Sequence, residues 1–354
     1  MDQQIALRCS QAGSVDPVTS NVEIRAVPWF VWVLSAPVYV IFGIWAFVAR
    51  FVYGVQHTTW SPKNRRDTRS YTQRVRAASR KYRFKPPKIG RVSDVVRQVQ
   101  DDPASGQVLE LFYRLRSAEI RTSLSWFEWF VANTLPMIAS VQNRAARVRQ
   151  EVTRIMHDCS SNGNKSVAFI ALAAGPAGPL LRGVRDGERW SGLVCAGVFL
   201  TDLYRRPLEL AKSMINDLGI RSDVELMHGL DLREPRLVQE AILAVVRRLP
   251  GGVRVVVEVI GWPDYPSNEQ VSRFLSAVYD ALPPGSFLLT GNVLRSPRWL
   301  SWLQRLFIEN VFRWMPMHYR TVSEFKGIVT GAGFLVLRES IDPNRGFVVV
   351  TAQK

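Results

Sequence analysis

The chain has 354 residues, enough for one large domain with extensions or for two of ordinary size. Its formal charge of +16 is concentrated, because twelve Lys or Arg face a single acid, Asp67, between Arg50 and Lys88. Three distant cysteines, Cys9, Cys159 and Cys195, exclude a disulfide framework or zinc knuckle, and the four histidines form no H-E-x-x-H pattern, so no metal is assigned.

After a tail over 1–25, the run from Ala26 to Ala49 holds 24 residues without a charge, between Arg25 and Arg50. That matches the roughly 20 apolar residues needed to cross a bilayer and predicts a transmembrane helix over 26–50. Trp29, Trp32, Trp45 and Tyr53 suit the interfacial aromatic belt, and Pro28 and Pro37 are tolerated in lipid. A buried globular helix and a hairpin re-entering at Pro37 are the alternatives. The N-terminal flank carries Arg8 and Arg25 against Asp2, Asp16 and Glu23, whereas the C-terminal flank is strongly basic. By the positive-inside rule the bulk of the chain faces the cytoplasm, from a single-pass anchor in the inner membrane. The basic juxtamembrane arm, 51–104, is expected to hold anionic lipid headgroups at about 1 kcal/mol per basic residue near the surface. No nucleic-acid-binding motif accompanies it, and nucleic acid is not expected as a partner.

Residues 105–160 read as a helical cap, with apolar residues recurring at three and four and then the strong helix formers of "NRAARVRQEVTRIM". From 161 to 354 the pattern changes to short β-branched runs alternating with amphipathic helices, the signature of parallel βαβ units. Strands are predicted near 166–172, 193–201, 222–228, 253–260 and 285–291, with helices near 178–187, 205–218, 234–249 and 268–282. Two last runs, "FLVLRES" and "GFVVVTAQ", are separated only by "IDPNR" and predict an antiparallel hairpin on the sheet's edge.

The first strand empties into "AAGPAG", Ala173 to Gly178, where small residues let backbone N–H groups approach a ligand at a helix start. The second strand ends with Asp202, an acid placed to accept hydrogen bonds from two ribose hydroxyls, as nicotinamide and sulfonium cofactors both require. The third leads to Asp231, which can accept from an adenine amino group. Each Asp alone also reads as a turn or helix cap. G-x-G-x-x-G is absent, which disfavours a nicotinamide-dependent dehydrogenase.

The segment "ALAAGPAGP", Ala171 to Pro179, followed in order by "GWPDYPSN", "LPPGSFLLTGN", "YRTVSEFKGIVTGAGF" and "RGFVVVTAQ", resembles the class I S-adenosylmethionine-dependent methyltransferases. Within them it is similar to a bacterial family whose first motif reads roughly D-I-A-A-G-x-G-R-Y, over about two thirds of the chain. The resemblance implies an α/β, Rossmann-like sheet of seven strands in the order 3-2-1-4-5-7-6, with S-adenosylmethionine as cofactor. It places Ala173, Ala174, Gly175 and Gly178 beside the cofactor's methionine part, Asp202 on the ribose, and Leu230 with Asp231 on the adenine. Two positions depart from the family: Ala171 stands where it has an acid and Ala177 where it has a glycine. The first is expected to loosen the hold on the cofactor's amino end, the second to narrow the turn.

Methyl transfer from a sulfonium needs an aligned acceptor and excluded water, with a base where the acceptor carries a proton. Glu258, Asp264, His318 and Tyr319, expected beyond the sheet's C-terminal edge, are the candidates for that work. The run from Arg295 to Arg320, with Trp299, Trp302 and Trp314, is long for a crossover and reads as an amphipathic lid or as core packing. The expected function is a membrane-anchored methyltransferase acting on a hydrophobic or membrane-associated acceptor, small molecule or lipid. The alternative is a catalytically weakened scaffold or regulator at the membrane that keeps the fold.

Overall fold

A computed structural model describes residues 136–161, 166–295 and 317–354, together with Pro37, Glu110, Phe112 and Tyr113. The transmembrane helix read at 26–50, the basic arm at 51–104 and most of the segment read as a lid, 296–316, lie outside the described residues. Among the described residues no helix is long and apolar enough to cross a membrane.

Helix α1, Pro136–Ser161, is the longest described, and its apolar stripe Val148, Val152, Ile155, Met156 and Cys159 is spaced to keep one face buried. The chain then alternates: β1 (Val167–Leu172), α2 (Gly178–Ser191), β2 (Gly197–Asp202), α3 (Arg205–Leu218), β3 (Val224–His228), α4 (Pro235–Val246), β4 (Arg254–Ile260), α5 (Asn268–Ala281), β5 (Phe287–Val293), α6 (Val322–Gly331), β6 (Leu335–Ile341) and β7 (Phe347–Gln353). These strands form one sheet in the order β3-β2-β1-β4-β5-β7-β6, the order expected. The first five run parallel, and β7 lies antiparallel between β5 and β6.

A sheet covered on both faces needs strands that are apolar throughout, and β1, Val-Ala-Phe-Ile-Ala-Leu, is fully buried. One face packs on Val238, Ile242 and Val245 of α4, on Phe274 and Leu275 of α5 and on Phe325 of α6. The other packs on the α1 stripe, on Leu180, Leu181 and Val184 of α2 and on Leu208 and Ala211 of α3. Helix α1, counted by sequence with 105–160, therefore shares the core of the sheet.

Two boundaries shift for identifiable reasons. Strand β2 begins at Gly197 rather than near 193, because left-handed Gly192 closes α2 and the Cys195 N–H turns to Ser222 Oγ instead of a ladder partner. Strand β5 runs on to Val293, because antiparallel β7 pairs with it through Phe347. The hairpin turn after β6 is held to α1, where the Asp342 carboxylate accepts from Ser140 Oγ and, at 2.6 Å, from Asn143 Nδ2.

Candidate functional site

Strand β1 ends in a turn that the chain adopts at some cost. Ala173 (φ 51°), Gly175 (54°) and Ala177 (54°) are all left-handed, a conformation that costs a residue with a Cβ about 1–2 kcal/mol. The turn is overdetermined by hydrogen bonds: Ala174 N–H donates to Thr201 O (2.8 Å), Ala177 N–H to Ala174 O (2.9 Å) and Gly175 N–H to Asp202 Oδ2 (2.9 Å). Strain held in place like this is characteristic of ligand-contacting segments. A Cβ built on Gly175 would meet nothing within 4 Å, so the backbone there faces open space. Helix α2 then starts with no side-chain cap at Ala177, leaving its first N–H groups and their positive potential at the turn. Gly178 is placed differently, because a Cβ on it would strike the Glu110 carboxylate and Arg182, which form an ion pair over the helix start.

Asp202 is buried at the end of β2. Its Oδ1 accepts from Tyr204 N–H at 2.9 Å while Oδ2 holds the turn. Burial raises its pKa, opposed by the N–H groups of Tyr204, Gly175 and Leu203. Gly229 N–H donates to Asp202 O (2.8 Å), so the loop carrying half-buried Leu230 and Asp231 leaves β3 beside it. The Asp231 carboxylate is held by the Arg233 guanidinium, whose Nε donates to both oxygens at 2.9 and 3.0 Å, and that bond lowers its pKa.

The four candidates on the acceptor side divide into two groups. Glu258 lies not beyond the sheet's edge, as expected, but buried within β4, because the β1–β4 pairing extends through it and sets it in register beside Ala171 under the turn. Burial pushes its carboxyl up to about 8, with the charge of Arg144 and the Ile260 N–H acting against the rise. Asp264, His318 and Tyr319 gather beyond the ends of β4 and β5. Asp264, in a single 3₁₀ turn over Trp262–Asp264, is fully engaged: Oδ1 accepts from Val293 N–H (2.6 Å) and Oδ2 from Arg144 Nη1 (3.3 Å). Burial pushes it up to about 6, again opposed by Arg144. Its backbone carbonyl accepts from His318 N–H at 2.6 Å, and His318 is exposed while Tyr319 is buried. Arg320, fully buried, ties this corner together by donating from Nη1 to Pro263 O (2.6 Å), from Nη2 to Pro266 O (2.7 Å) and from Nε to Asn268 Oδ1 (2.8 Å).

No family model matches the chain, and no curated protein sequence does. Among solved structures, a protein of Bordetella parapertussis described as a possible exported protein is similar over 70% of this chain and 79% of its own, at 20% identity and a TM-score of 0.51. The fold is shared. An O-methyltransferase family 2 protein of Planctomyces limnophilus, in complex with apigenin, aligns over 94% of this chain and 98% of that one at 13% identity and a TM-score of 0.46. A magnesium protoporphyrin IX methyltransferase of Synechocystis, with bound SAH, aligns over 68% and 96% at 13% identity and 0.41. At these scores the last two carry no functional weight.

Three residues at the site escaped the sequence reading: Glu110, Tyr113 and Arg144. Arg144 joins the two groups of candidates, since its charge acts on Glu258 while its Nη1 bonds Asp264. Its guanidinium also lies 4.4 Å from the centre of the Phe347 ring, and its Nε is buried without a hydrogen-bond partner. A signal for it was present, because Arg144 falls four and eight residues before Val148 and Val152, on the buried face of α1.

Proposed function

We propose that the protein is an S-adenosylmethionine-dependent methyltransferase, held at the cytoplasmic face of the inner membrane and acting on a hydrophobic or membrane-associated acceptor. The observation that carries this reading is the strained turn from Ala173 to Ala177, tied to Asp202 of the next strand, at the C-terminal end of the central strands of this sheet. The residues present fit the cofactor: the backbone at Gly175 faces open space, and Arg144 offers an unused buried donor. Asp202 would hold the ribose hydroxyls, Ala173, Ala174 and Gly175 the methionine part, and Leu230 and Asp231 the adenine. Gly178 serves the helix start under Glu110.

When bound, the cofactor supplies an electrophilic methyl group. The chain's own part is to align the acceptor and exclude water from the C-terminal edge of β4 and β5. Asp264, with both oxygens committed, positions this corner, and the imidazole nitrogen of exposed His318 accepts the proton of a hydroxyl or ammonium acceptor. Tyr319 forms part of the wall. The anchor and the anionic-lipid contact rest on the uncharged run at 26–49 and the basic run after it.

A second reading, a membrane-bound scaffold that keeps the fold without turnover, is favoured by one observation: two of the three left-handed turn positions carry alanine. Calorimetric titration of the full-length protein in detergent separates them. Binding of S-adenosylmethionine and S-adenosylhomocysteine is expected, weakened about 10- to 100-fold in Asp202→Ala by the loss of charge-assisted hydrogen bonds. Absence of binding by the parent protein supports the scaffold.

A further inference from the structure

Glu258 and Arg144 are a buried acid and a buried cation to which the scheme above gives no partner atom on the cofactor. The β1–β4 register sets Glu258 directly beside Ala171, and Val256 and Ala171 face the layer under α1 and α2. Alternation along the strand puts Glu258 on that same face. With adjacent strands less than about 5 Å apart, an acid on β4 at this position reaches the space that an acid on β1 at Ala171 would serve. Arg144 approaches from α1. Together with Tyr113 and the backbone of Ala173 to Ala177 they line a cavity of about 70 Å³ beneath the turn.

A cavity of this size has room for an amino-acid head group. The polar complement is incomplete as it stands. Arg144 donates to Asp264, yet its Nε has no partner. Glu258 is buried, and burial outweighs the opposing charge of Arg144 and the Ile260 N–H, pushing its carboxyl up to about 8. A ligand carrying an ammonium and a carboxylate on one carbon supplies what each lacks. The ammonium ionises and pairs Glu258, the carboxylate takes the free Arg144 N–H, and the uncapped start of α2 adds positive potential.

We propose that Glu258 and Arg144 form the receptor for a zwitterionic amino-acid head group, with the acid supplied by β4 because β1 carries Ala171. The inference rests on the S-adenosylmethionine reading and specifies how that ligand's polar end is held.

The test compares S-adenosylhomocysteine with 5′-methylthioadenosine, which keeps the adenosine and thioether but lacks the head group, on the full-length protein. Glu258→Gln and Arg144→Lys are each expected to weaken S-adenosylhomocysteine about tenfold or more and leave 5′-methylthioadenosine unchanged. Ala171→Asp placed in Glu258→Ala is expected to restore S-adenosylhomocysteine binding, moving the acid back one strand, whereas Ala171→Asp in the parent background brings no gain. Equal losses for both compounds, or no loss for either, overturn the receptor while leaving the methyltransferase reading in place. A parent protein that binds neither compound overturns both. Thermal melting of Glu258→Gln and Arg144→Lys checks that each is folded, so that unfolding cannot pass for lost recognition.

Discussion

Ala177 shows how a single side chain can work against the turn it belongs to. Its φ of 54° costs an L-residue about 1–2 kcal/mol, and glycine would remove that strain while adding flexibility to the unfolded chain. Ala177→Gly is therefore expected to stabilise the fold by about 0.5–1 kcal/mol, read as a raised melting temperature in the absence of ligand. The sequence-based view that Ala177 narrows the turn is a statement about space, whereas the observed penalty lies in the backbone. Glu258 sets a second expectation. Its folded-state pKa of about 8 lies above the ordinary 4.5, so the native state binds a proton that the unfolded state releases. Stability from this group is thus lost as pH rises from about 4.5 to about 8, by at most about 1.4 kcal/mol per pH unit. Glu258→Gln removes that slope, and melts across pH 5 to 8 should show the variant gaining on the parent as pH increases. A constant difference between the two would mean that Glu258 is already ionised in the native state.

The α1–α2 pair shows the same reversal of a simple rule one level up. A glycine inside an exposed helix is improved by alanine by about 1 kcal/mol, but a Cβ on Gly183 of α2 would lie 2.7 Å from Val152 Cβ and 2.9 Å from the Arg149 carbonyl oxygen of α1. Neither atom can move without shifting the helix. Gly183→Ala is expected to destabilise the protein by about 1–3 kcal/mol, measured by chemical denaturation. Elements of this kind mark the limit of what local pattern reveals. Helix α3 occupies 205–218 as its amphipathic period requires, and β1 and β4 fall within a residue of their apolar runs. The start of β2 and the end of β5 escaped because Ser222 and β7, which redirect or extend them, are distant in sequence. The site divides likewise. The turn and Asp202 were legible because consecutive strand ends meet in a parallel sheet. Glu258 was expected beyond the sheet's C-terminal edge and instead lies inside β4, and its place beside Ala171 depends on the β1–β4 register. Arg144 arrives on a helix whose docking no local pattern reports.

At the scale of the whole molecule, the proposed membrane attachment rests on the N-terminal sequence. Removing residues 1–54 is expected to release the protein only partly from membranes at low salt, since the basic run from Lys63 to Lys88 remains, and high salt should complete the release. Fractionation of membranes decides this: a truncated protein fully soluble at low salt removes the lipid contact from the arm, and full-length protein washed off by salt alone removes the transmembrane reading. The partnership of α1 with the last hairpin reaches further than stability. Ser140 and Asn143 find Asp342 across 202 and 199 residues, and Glu151 meets Thr351 across 200. At a synthesis rate of about 5–20 residues per second, α1 waits about 10–40 s on the ribosome before these partners exist. During that interval Ser140, Asn143 and Glu151 lack these partners while the apolar stripe of α1 already has α2 and β1 to pack on, so the last hairpin closes onto a helix that is docked before its polar partners are translated.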